Sequence, residues 1–572
     1  MRLTKLLVVL LLVPTMVWAQ SSTGSTSTSA DTPNVSDQIN KLSDAIAAQQ
    51  SQIAAQQEQM KKQQQELETL RKQLAEQKAA ANNTPRVVDA SLNATMVTNA
   101  EAAQAPPGGA QQPEAQGTGK TSPLSFRIGA AEFTPGGFLD FTNVFRTTNT
   151  GNILSTNFGA NPFDNTTAGN LTEIRTTSQY SRLSLKVASK VMGADVTGYV
   201  ETDFNGNDAA NVFNTSNPHT FRLRLAYMEL KKGPLQLIGG QTWGWLTPNR
   251  VGLGTAGADV FTTNNSDANI NVGLPYTRPS SLHVILRPNS HFGWGFGLET
   301  QQQFLGATTL PGGTFGTNGN FATQGDTAGG VAGTPSLHPA ILTKLAYDSN
   351  PTGGHNVHLE LTGIMNSVKI AFTPVGAPTG TFTTNTKTGG GFEMATVTGL
   401  TKNFRLVANA FYGNGQGRQN IALSPDFVIR PNGDISLVHS GSGMAGVEAQ
   451  VTPSTLFAFY YGAIYNQANY FRDTNATGQP FIGFGCQASV FGTVGIPFRG
   501  GNGLCPTNLA QNRLMSEPTL DIIHTFWKNP QWGSIGINLQ TSYLSRSPWV
   551  VGQNPKNAHL FMQYVVLRYI LP

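Results

Sequence analysis

The chain has 572 residues, and only 12% are charged, about half the share of roughly 25% usual for soluble domains. Hydrophobic residues are a modest 39%, while 62 glycines and 32 prolines point to many turns. A net charge of +5 is too small on this length to imply nucleic acid, and two cysteines are too few for a disulfide scaffold.

Residues 1–19 read as a secretory signal: Arg2 and Lys5 precede the apolar run Leu6–Val17, which ends in Val17-Trp18-Ala19. No later stretch approaches the length of a transmembrane helix. A Ser/Thr-rich linker (20–35) leads to the one strongly helical segment, 36–79. There Ile39, Ile46, Ile53, Met60, Leu67 and Leu74 recur every seven residues, and Leu42, Gln49, Gln56, Gln63, Leu70 and Gln77 follow each by three. Such a seam cannot be buried by one helix, so a self-associating coiled coil is expected, with its polar layers favouring a trimer. Residues 80–124, rich in Ala, Asn, Gln, Pro and Gly, read as a flexible linker.

From residue 125 to 572 the periodicity becomes two. Ile535, Ile537, Leu539 and Tyr543 alternate with Asn538, Gln540 and Ser542, and Val357, Leu359, Leu361 and Met365 alternate with His358, Glu360 and Thr362. In 219–228, Phe221, Leu223, Leu225 and Tyr227 are placed on the lipid face, opposite Arg222 and Arg224. Sixteen such segments are found, and their connections alternate between short and long. The long ones include 147–173, 244–279, 305–337, 367–388 and 466–517. A polar second face and alternating loop lengths distinguish a membrane barrel from a soluble sandwich. The expected fold is therefore an all-β transmembrane barrel of about 16 antiparallel strands behind an α-helical coiled coil. Both barrel ends fall on the short-turn side, which places the coiled coil in the periplasm.

This order of segments resembles the DcaP-like porins, trimeric outer-membrane channels with an N-terminal coiled coil. Short collinear stretches carry the resemblance: Gly137-Phe-Leu-Asp140, Ser181-Arg-Leu-Ser-Leu185, Gly198-Tyr-Val-Glu-Thr-Asp-Phe204, Phe221-Arg-Leu-Arg-Leu-Ala-Tyr227, Gly240-Gln-Thr-Trp243 and Tyr412-Gly-Asn-Gly-Gln-Gly-Arg418. It implies diffusion of small anions, with dicarboxylates as the type substrates, and a homotrimer in the outer membrane of a Gram-negative-type bacterium.

Alternation turns Arg182, Lys186, Arg222, Arg224, Lys344 and Arg405 toward the lumen, with Glu201 and Asp203 between the first two clusters. Arginine at the lipid midplane costs about 2–4 kcal/mol, so the inward assignment is the cheaper one. A basic ladder raises local anion concentration, and its guanidinium forks suit carboxylates. The competing reading is that wall charges merely pair and hold loops. Loop 244–279, with Arg250, Asp259, Asp267 and Arg278, is the expected constriction. Trp243 and Trp245 at its root are read first as interfacial girdle residues. Cys486 and Cys505 lie in one long loop of an exported chain and are expected to pair, closing a ring of about 20 residues.

The nine histidines include no HExxH and no metal-ligand spacing, and no nucleophile elbow is present. A porin passing small hydrophilic solutes without enzyme activity, cofactor or metal is the leading reading. His219, His283, His358 and His524 would be the candidates for a barrel hydrolase. The other alternative is an envelope structural protein, with the barrel as anchor and the coiled coil spacing the outer membrane from peptidoglycan.

Overall fold

The computed structural model describes residues 122–572 except 152–153, 157, 207–219, 255–260, 262–265, 268–270, 307, 309, 312–316, 319, 326–336, 353–354, 375, 379, 421–423, 470–482, 486–510 and 550–556. The signal, coiled coil and both linkers up to residue 121 lie outside these residues, as do Asp259, Cys486, Cys505 and His219.

Sixteen strands form a closed antiparallel meander: β1 (Ala131–Arg146), β2 in two segments (Glu173–Thr177 and Arg182–Val191), β3 (Ala194–Asp203), β4 (Arg222–Lys232), β5 (Leu235–Gln241), β6 (Ser280–Leu286), β7 (Phe292–Glu299) and β8 (Ala340–Asp348). The second half comprises β9 (Val357–Pro374), β10 (Thr383–Thr401), β11 (Phe404–Asn414), β12 (His439–Thr452), β13 (Thr455–Asn466), β14 (Asn512–Asn529), β15 (Gly533–Pro548) and β16 (Ala558–Ile570). Each strand pairs with the next, and β16 returns to β1 with Arg568 opposite Asp140. That register also joins their side chains: the Arg568 guanidinium donates twice to one Asp140 oxygen (2.6 and 3.1 Å) across the closing seam. Ser122 Oγ donates to the carbonyl of Pro572 (2.9 Å), so the two ends of the barrel meet on the short-turn side.

Alternation decides which face each side chain takes. Leu139, Phe141, Leu183, Leu185, Leu359, Leu361, Leu539 and Leu567 stand exposed on the outer face, while Asp140, Arg182, Glu360, Gln540 and Arg568 point inward. Trp527 and Trp532 at the short-turn end, with Tyr412, Tyr465 and Tyr543 toward the other, give the outer surface aromatic residues near both rims.

Two expectations require correction. In β4 the ladder shifts register between Glu201 and Thr202 of its partner, so Arg224 and Leu225 both turn inward. Leu225 is fully buried and Tyr227 nearly so, whereas Leu223 and Met228 take the outer face. An extra residue in one strand reverses the alternation beyond it, and simple parity therefore misplaced Leu225 and Tyr227. The segment 367–388 is also largely strand: β9 and β10 extend as a paired hairpin, with Phe372 opposite Thr383.

Candidate functional site: the lumen and its strap

The lumen-facing charges fall into two groups. On one wall, Arg182 (β2), Glu201 and Asp203 (β3), and Arg222 and Arg224 (β4) form one network. Arg224 binds Glu201 at 2.7 Å and Asp203 at 2.8 Å, and Arg222 holds Asp203 through two nitrogens at 2.7 and 3.0 Å. Arg182 stands 3.8 Å from Glu201, with its guanidinium over the rings of Phe138 (5.2 Å) and Tyr180 (4.5 Å). Arg568 lies over the same Phe138 ring at 4.2 Å, so the basic series continues across the seam into β16. The bulge in β4 brings Arg222 and Arg224 into this register. Lys186, further along β2 opposite Tyr199, is half-buried and stands apart from these ion pairs.

The opposite wall carries buried acids: Glu360 (β9), Glu393 (β10), Glu448 (β12), and Glu517 and Asp521 (β14). Lys344 is fully buried and pairs with Glu360 at 2.7 Å, and His358 bridges Asp348 (2.9 Å) and Glu360 (3.3 Å). Arg405 pairs with Glu448 at 2.9 Å.

Between β5 and β6 the described residues 242–254, 261, 266–267 and 271–279 pack inside the barrel as a strap. Trp243 and Trp245 are buried inside the barrel at 3% and 2% exposure, which overturns their reading as girdle residues. Every lumen-facing position in Phe292-Gly-Trp-Gly-Phe-Gly-Leu is glycine, and a Cβ on Gly295 would meet the Trp245 ring at 2.3 Å. The wall is therefore hollowed to seat that tryptophan, with His283 stacked 4.2 Å from it. The backbone amide of Trp245 donates to Glu299 (2.7 Å), and Lys344 Nζ donates to its carbonyl (2.9 Å). Asn249 donates from its side chain (2.7 Å) and its backbone amide (3.1 and 3.2 Å) to Glu360, and Gly252 N donates to Asp348 (2.8 Å). Arg250 reaches Glu448 through two nitrogens (2.7 and 2.9 Å).

Further along the strap, Ser266 accepts from Asn538 (2.6 Å) and its amide donates to Gln540. Asp267 accepts from Tyr564 (3.1 Å) and from the amide of Thr156 in the first long loop (3.2 Å), and Val272 N donates to Glu517 (3.2 Å). Val272 and Gly273 lie directly on Gly462 and Gly443, where no side chain intervenes. Arg278, two residues before β6, lies 5.4 Å from the centre of the Trp243 ring. Burial, with Arg224 and Arg222 alongside, pushes its guanidinium down to about 9. Burial pushes the Tyr276 phenol up to about 12.

Of the sequence-derived candidates, Arg182, Glu201, Asp203, Arg222 and Arg224 thus come together, and Arg250 joins Arg405 through Glu448. Lys344 and Asp267 instead hold the strap. Glu448, Glu360, Asn249 and the wall glycines were missed as site residues. The glycine alternation in β7 was the readable signal for the strap's seat.

No protein-family model matches the chain, and no curated protein matches it. Among solved structures, the outer membrane channel DcaP of Acinetobacter baumannii matches with a TM-score of 0.52 at 14% identity, over 77% of this chain and 98% of that one. The barrel shares its fold with that channel. The result agrees with the resemblance read from the sequence. An anion-selective porin from Comamonas acidovorans follows at TM-score 0.42 and 10% identity, over 77% of this chain and 100% of that one. OprB of Pseudomonas putida follows at 0.38 and 12%, over 76% and 94%.

Proposed function

We propose that this chain is an outer-membrane porin that passes small hydrophilic solutes by passive diffusion, favours anions such as dicarboxylates, and works as a homotrimer. In this reading the apolar outer face meets lipid and the short-turn end, with the coiled coil, faces the periplasm. The channel fold shared with DcaP supports a transport role over an envelope anchor.

One observation carries the choice of sign. In two lumen pairs the carboxylate is buried while the guanidinium reaches toward solvent, whereas Arg224, Arg568 and Lys344 are buried together with their acids. Arg222 is 31% exposed while its partner Asp203 is fully buried, and Arg405 is 29% exposed above a fully buried Glu448. The strap enforces this by spending its own donors on the acids of the far wall. A solute in the remaining passage therefore meets positive ends of dipolar pairs, and a narrow low-dielectric passage strengthens that field. The bidentate fork of Arg222 suits a carboxylate that transiently competes with Asp203.

Planar-bilayer reversal potentials of the purified protein under a KCl gradient test this. The expected potential favours chloride and moves toward cations in the Arg222→Gln/Arg405→Gln double variant. A cation-favouring native channel, or none at all, would overturn it.

A further inference from the structure

Most arginines on the barrel's inner side have a defined partner. Arg146 binds Glu173, Arg568 binds Asp140, and Arg182, Arg222 and Arg224 share Glu201 and Asp203. Among the described residues Arg546 pairs with no acid and its Nη2 has no acceptor, but it is fully buried and donates to Asn512 (2.6 Å) and the carbonyl of Asn161, so it clamps loops.

Arg278 differs. Among the described residues no carboxylate pairs with it, and its Nη1 has no acceptor. Beside it the indole Nε1 of Trp243 is also buried with no acceptor. Leaving a buried donor unmade costs about 1–3 kcal/mol, and more for a charged one. The Arg278 guanidinium sits over the Trp243 ring, 5.4 Å from its centre, and an acceptor with two oxygens can satisfy both donors. The neighbouring arginines Arg222 and Arg224 make the spot more positive, and their acids are already engaged by four guanidinium hydrogen bonds.

We infer that Arg278 and Trp243 form a binding site for one carboxylate group of a small organic anion crossing the lumen. Arg278 is half-buried, and the adjoining Arg222 opens to solvent, so the pair is approached along these two side chains. The tilted rings of Trp243 and Tyr276, 5.7 Å apart, provide the apolar flank. The site deepens the porin reading and rests on it: the paired ladder attracts anions, and the unpaired arginine holds one.

Titration of the purified full-length protein with sodium benzoate, followed by calorimetry, tests the site, with benzyl alcohol as the uncharged probe. Saturable benzoate binding is expected, weakened at least about tenfold in Arg278→Ala, the effect of losing one charge-assisted contact. Trp243→Phe, which keeps a ring and removes only the N–H, is expected to weaken it about threefold. Equal binding of both probes, or native benzoate affinity in Arg278→Ala with an unchanged unfolding temperature, would overturn the site. A native protein that conducts chloride without saturable benzoate binding also refutes the site, while leaving the porin reading intact. One that binds benzoate and conducts nothing refutes the porin reading alone.

Discussion

Gly462→Ala tests whether the strap is seated on the β12–β13 wall as described. A Cβ at residue 462 would lie 1.7 Å from the Val272 carbonyl oxygen and 2.7 Å from its carbon. Cβ atoms essentially never approach within 3.0 Å of another heavy atom, so the strap must retreat by at least 1.3 Å. Its neighbours restrict where it can go: Gly273 packs with positive φ against the Gly443 carbonyl, and Asn409 Nδ2 donates to the Gly273 carbonyl at 3.2 Å. Retreat away from the wall carries this bond and the Val272–Glu517 bond, also 3.2 Å, past hydrogen-bonding length. Glu517 then stays buried without its amide donor, at a cost of about 1–3 kcal/mol. The displaced strap enters the passage, so single-channel conductance in concentrated KCl is expected to fall and the unfolding temperature to drop. Gly363→Ala is the bulk control, because its Cβ would meet Thr343 at an ordinary 3.6 Å. Native conductance and stability in Gly462→Ala would refute the seating of the strap.

Glu448→Gln removes the negative charge to which Arg250, Arg405 and Tyr460 all donate and replaces one accepting oxygen with an NH2 donor. Breaking a buried pair by neutralising one member costs about 3–5 kcal/mol, and the partly exposed Arg405 puts this case near the lower end. Heat-modifiability on gels should show the destabilisation, and the reversal potential should become more chloride-favouring because a negative charge is gone. Deletion of residues 36–79 is expected to convert trimers to monomers on native gels while leaving the barrel heat-modifiable. Persisting trimers would show that the barrel associates by itself.

Much of the barrel could be read directly. Sixteen strands, their antiparallel order and the inward orientation of Arg182, Arg222, Arg224, Lys344 and Arg405 all follow from alternation, because a strand between apolar and polar surroundings has only two faces. The same rule failed at Leu225 and Tyr227, since a bulge depends on how two strands pair and leaves no mark in either alone. It also stopped short in β9 and β10, where Ser367–Phe372 lacks the clean alternation of Val357–Asn366 but pairs with Thr383–Thr388 nonetheless.

The candidate site divides along the same line. Residue type and parity alone settled that the barrel would carry an inward basic series with two acids beside it. Only the tertiary structure decided which charges remain available. Arg250 and Glu448 are 198 positions apart, Asn249 and Glu360 are 111 apart, and the strap that joins them also buries the acids of the far wall. Alternation is a property of one strand in its surroundings, whereas pairing across a lumen depends on where a loop crosses it. That difference leaves Arg222 facing solvent, Lys344 buried under the strap, and Arg278 without an acid partner among the described residues.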